Sequence, residues 1–189
     1  MKTRLWILGF LGLLVLAGCG QIPVTFSLGA LTFNNVPLSS QSGNGNTVTV
    51  LKISVPSLPA TPSKVVLSFP ITQVQLSNTS SCGSLSSFSV TQLTITGSFT
   101  PPNSSIPISI SLNLSGATTL TQSSGSTYTA NPQVNLVSTL TGSQISGLLA
   151  LLSQGGTITI TSYTVTTTAP SGCTATMTIQ AQGQATAYF

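Results

Sequence analysis

Apolar and hydroxyl-bearing side chains alternate along most of this chain. Ile106, Ile108, Ile110, Leu112 and Leu114 fall on one face of an extended segment, and Ser109, Ser111 and Asn113 fall on the other. At the far end Met177, Ile179, Ala181, Gly183, Ala185, Ala187 and Phe189 share a face opposite Thr178, Gln180, Gln182, Gln184, Thr186 and Tyr188. Ile158 and Ile160 sit between Thr157, Thr159 and Thr161. A period of two with one apolar face predicts half-buried antiparallel strands. The same reading expects strands at 24–33, 47–55, 64–69, 71–76, 88–99, 126–130 and 133–140. Turn signals separate them: Gly43-Asn44-Gly45, Ser81-Cys82-Gly83, Pro101-Pro102-Asn103 and Ala169-Pro170-Ser171-Gly172. About nine or ten short strands, with no fixed-period repeat and no linker, predict one all-β domain built as an antiparallel β-sandwich. The stretch 41–46 is expected to be its most mobile loop.

One segment changes period. Ile145, Leu148, Leu149 and Leu152 follow i, i+3, i+4, i+7 spacing, which predicts a short amphipathic helix over 143–153. Ser143 is the expected N-cap and Gly155-Gly156 the stop. Such a helix can plug one end of a β core. A functional alternative is a greasy lid over a lipid pocket, or a face touching a membrane.

The chain opens with the basic Met1-Lys2-Thr3-Arg4 and an apolar run at 5–16. That run is roughly a dozen residues, short of the ~20 a helix needs to cross a hydrocarbon core. A positive start, a short apolar stretch and small residues before a cut fit a secretory signal. The run Leu16-Ala17-Gly18-Cys19 resembles the lipobox of a bacterial lipoprotein precursor. The resemblance covers about the first 20 residues and carries no activity with it. It implies that residues 1–18 are a signal peptide, that Cys19 is acylated, and that residues 19–189 form a lipid-anchored domain at the cell envelope. Gly20, where an Asp would favour retention in the inner membrane, implies the outer membrane in a cell with two. Only Gly20 and Gln21 separate Cys19 from the alternation that begins at Ile22, a reach of roughly 10 Å. The domain is therefore expected close against the bilayer.

Charge narrows the function further. After residue 18 there is no Asp, Glu, His or Arg, and Lys52 and Lys64 are the only charged side chains. This removes the usual general acids and bases, the carboxylate ligands of hard cations and the imidazole ligands of zinc. No enzyme activity, cofactor or metal is expected. Nucleic-acid binding needs clustered Lys and Arg and is not expected either. A Ser with a Lys base is the one catalytic arrangement the composition allows. Thr49-Val50-Leu51-Lys52 and Thr61-Pro62-Ser63-Lys64 both lack the S-x-x-K spacing.

With Cys19 assigned to lipid, Cys82 and Cys173 remain, an even number in an exported domain. They are expected to form a disulfide, with two buried thiols as the alternative. The closing Tyr188-Phe189 resembles the last strand of outer-membrane barrels, although most strands here look shorter than the ~9–11 residues those barrels use. Tyr128, Tyr163 and Tyr188 read as tyrosines packed along strands. These observations predict a non-enzymatic structural or interaction module that meets the membrane through its anchor and contacts envelope proteins. The alternative they leave is a carrier of an apolar, lipid-like ligand.

Overall fold

The computed structural model describes residues 23–42, 46–50, 52, 60–102 and 104–189. The leader, Cys19, Gly43-Asn44-Gly45 and most of 51–59 lie outside the described residues. The chain forms β1 (Pro23–Pro37), β2 (Gln41–Ser42), β3 (Thr47–Val50), β4 (Lys64–Ser77) and β5 (Ser87–Phe99). There follow β6 (Ile108–Leu114), β7 (Thr118–Ser124), β8 (Thr127–Asn131) and β9 (Asn135–Leu140). The helix α1 (Ser143–Gln154) leads into β10 (Gly156–Thr167) and β11 (Thr176–Tyr188). The all-β expectation holds among the described residues, with a short α-helix where the period changed.

The expected sandwich does not form. All eleven strands belong to one antiparallel sheet, whereas a sandwich needs two. The pairings β4–β8–β7–β5–β6–β9–β4 form a closed circuit of six strands, flanked by β11 and β1 on one side and by β10, β2 and β3 on the other. Alternation tells each strand which face is wet but not which strand lies beside it. Register shifts within the β1, β10 and β11 pairings let the sheet roll instead of splitting into two layers.

Inside the ring, β6 and β7 run as one interrupted strand along β5, and β9 and β8 do the same along β4. Asn113 faces Val137 and Thr119 faces Asn131, so both breaks keep a single hairpin register. A second closure joins the flanking strands. Beyond β1, which pairs with β11, the chain crosses to β10: Thr167 Oγ1 donates to Leu38 O (3.2 Å), Val165 N–H donates to Ser40 Oγ (2.8 Å), and Gln41 pairs with Tyr163.

Several local expectations change for identifiable reasons. The segments 64–69 and 71–76 are one strand, running through Pro70. The proline has no N–H for the ladder, and the β11 register shifts between Gln180 and Ala181 on one side of it. Ile106 leaves the apolar face it shares by spacing and is 71% exposed, because β6 starts only after Pro107. β7 has a single large apolar residue, Leu120, and so left little period to read. Its inward Thr118 is buried by donating to Pro132 O at 2.6 Å. Gly142, not Ser143, holds the N-cap position of α1, with φ 55°. The Gly155 stop stands, at φ 77° with its N–H on Leu151 O (2.7 Å).

Inward side chains from every long strand form one cluster. The apolar face of β11 is as expected, from Met177 to Ala187. The ladder also defines two ends. At one lie the start of β1, the start of β4, the end of β9, α1 and the start of β10; at the other lie the ends of β1 and β4 and the start of β11.

Candidate functional site

The helix end gathers most of the residues singled out by the sequence. Ile145, Leu148 and Leu152 are buried in the barrel mouth, as predicted, while Leu149 is half-buried at its margin. Leu151, which the spacing rule passed over, is buried with them. It lies three residues after Leu148, so a wider apolar stripe would have included it. Gly147 explains how closely the helix seats: a Cβ there would overlap Ile108 Cδ1 and meet Pro101 Cγ at 3.1 Å.

Beneath α1 is an apolar cavity of about 50 Å³, walled by Leu28, Phe33, Phe69, Ile95, Leu148 and Leu152 among others. A cavity of about 150 Å³ accepts one benzene ring. The core under the helix is therefore nearly filled.

Beside α1, the strands β6 and β9 part. They pair only at Asn113–Val137 and Leu114–Leu136. Extending that register outward would set Ser111 opposite Thr139 and Ser109 opposite Thr141, but no ladder forms there. The Gln144 carboxamide fills the outermost rung instead. Its Nε2 donates to Ser109 O (2.9 Å), and its Oε1 accepts from Thr141 N–H (3.4 Å). A side-chain amide thus replaces a peptide-to-peptide bond and ties the helix to both strands. The resulting cleft of about 540 Å³ is lined by Ser109, Ser111, Asn113, Ser138, Thr139 and Gln144 with Val137. Ser138, paired with Leu67 in the β4–β9 ladder, is 7% exposed and lines this cleft. Sequence reasoning missed Gln144 and Ser138, because a Gln in a first helical turn and a Ser on a strand carry no distinguishing pattern.

The two lysines lie at the same end. Lys52 is exposed, with its backbone against the Gly155 turn that ends α1. Lys64 opens β4 and holds Nζ 4.4 Å from the Tyr188 ring centroid.

At the opposite end Cys82 and Cys173 form a disulfide, with Cα atoms 4.4 Å apart. It extends the β4–β11 ladder past its last pair, Ser77–Thr176. Thr174 N–H donates to Ser81 Oγ (2.8 Å) beside it. Tyr128 is buried against Phe88, with centroids 5.8 Å apart, and its hydroxyl donates to Leu85 O. Burial raises its pKa above the ordinary 10.0. Tyr163 is buried and accepts from Asn46 Nδ2 at 3.4 Å, so the three tyrosines stand apart.

The chain matches no protein-family model, and no curated protein is significantly similar to it.

Proposed function

We propose that this protein is a lipid-anchored, non-enzymatic contact module of the bacterial cell envelope, held through Cys19 and presenting a neutral hydroxyl- and amide-lined surface to an envelope partner. One observation carries the reading. Past a lipobox-like leader, the chain offers only two charged side chains, so recognition rests on hydrogen bonding and shape. The β6–β9 cleft supports it as the place of contact, since hydroxyls, amides and open strand edges converge there. Metabolic labelling with a fatty-acid analogue tests the anchor: label on the protein that is lost in Cys19→Ser supports it, and an unlabelled parent protein overturns it.

The second reading, a carrier of an apolar ligand, draws on the seating of α1 over an apolar interior. The cavity would have to expand severalfold for an acyl chain. Native mass spectrometry of protein released from its own membrane separates the two: a bound lipid beyond the anchor favours the carrier, and its absence favours the contact module.

A further inference from the structure

From the asymmetry of the two ends we infer that the helix end is a membrane-docking face, which sits on anionic lipid headgroups and orients the anchored domain with its disulfide end outward. The inference rests on the anchoring reading above and specifies which surface meets the bilayer.

Four independent features coincide at this end. Both lysines after residue 18 are here, with no acidic side chain anywhere to offset them. Among the described residues, the one exposed large hydrophobic side chain, Ile106, is on the β5–β6 connection of the same end. Leu149 is half-buried on α1, and Tyr188 lies half-buried beneath the Lys64 ammonium. Finally, β1 begins here, paired at Pro23 with Tyr188, and Cys19 precedes Pro23 by only four residues along the chain. The other end exposes Ser123, Ser124, Gly125 and Ser126 and no cation.

These residue types suit an interface between water and lipid. A tyrosine and lysines with long apolar stems bridge headgroup and acyl regions, while an isolated aliphatic tip enters the boundary. Each lysine near an anionic surface changes partition by about fivefold. Two such lysines cannot hold a protein to a membrane alone. On a body already tethered within a few residues, they suffice to choose which end faces the lipid.

The test places a fluorescent reporter at each end of the full-length, cell-processed protein. Ile106→Trp and Ser124→Trp are made separately, both at exposed positions, and read as differences from the unsubstituted protein. Each is reconstituted into vesicles of equal parts brominated phosphatidylcholine and phosphatidylglycerol. The Ile106→Trp indole is expected to be quenched and blue-shifted and the Ser124→Trp indole unaffected. Adding Lys52→Gln and Lys64→Gln, or using brominated phosphatidylcholine alone, is expected to weaken the quenching at 106. Equal quenching at both positions in protein that floats with the vesicles overturns the orientation. Quenching at 106 that ignores both lysines and lipid charge overturns the assignment to anionic headgroups. Failure of the unsubstituted protein to float overturns the anchoring reading and this one with it.

Discussion

Gly183 shows what one residue does in a rolled sheet. It lies on the apolar face of β11, and a Cβ built on it would meet Phe69 Cε1 at 2.7 Å and Leu28 Cβ at 2.9 Å. The Phe69 ring occupies the space a larger side chain would need. Gly183→Ala is therefore expected to destabilise the fold by about 1–3 kcal/mol, despite alanine's better strand propensity. Chemical denaturation checks it; an unchanged midpoint would mean that the ring moves aside freely. Tyr128 gives a second residue-scale expectation. Its raised pKa means that the unfolded chain loses the phenolic proton first as pH rises, so stability falls above about pH 10. In Tyr128→Phe the hydroxyl's bond to Leu85 O is lost, at about 1 kcal/mol, and that residue's share of the alkaline fall goes with it. Melting curves at pH 8 and above on both proteins measure the two effects. The position of Gly183 on the apolar face was legible from alternation. Its closeness to Phe69, which sits on another strand, was not.

At the scale of elements, α1 combines a legible stripe with an illegible seat. Ile145, Leu148 and Leu152 are buried as their spacing requires, because a helix on a core must hide one face. What they are buried against depends on which strands part beside them. Leu152→Ala is expected to cost roughly 2–5 kcal/mol, as an interior truncation, and Leu149→Ala distinctly less, since Leu149 stands at the margin. Equal losses in the two variants would refute the seating. Gln144→Ala removes both bonds across the β6–β9 opening. Hydrogen exchange at Thr141 is expected to quicken, with global stability lower by about 1 kcal/mol. The edges of elements were the least readable parts. Ile106 fell outside β6 because of a proline whose effect the alternation hid, and β7 was missed because Thr118 takes one of its two buried places, leaving Leu120 alone.

At the scale of the molecule, the disulfide and the absence of titrating groups set the response to solvent. Cys82 and Cys173 are 91 residues apart. By the chain-entropy model, closing so long a loop contributes up to roughly 4–5 kcal/mol. Reduction, or the paired Cys82→Ser and Cys173→Ser substitutions, is expected to lower the melting temperature sharply without altering the circular dichroism at low temperature. Between about pH 4 and pH 8 no side chain changes its charge, so folded and unfolded states bind equal numbers of protons. The melting temperature is expected to stay level across that window. A shift of more than a few degrees would reveal a titrating group that the composition does not contain.

Strand character, the short helix after β9 and the cysteine pair were determined by the amino-acid sequence itself, because each depends on residue type or on spacing along the chain. Whether the sheet would split into two layers or roll into one barrel was decided by tertiary structure. So were the parting of β6 from β9 and the gathering of both lysines at the helix end. These depend on which strands lie side by side, and a period of two is the same for every partner.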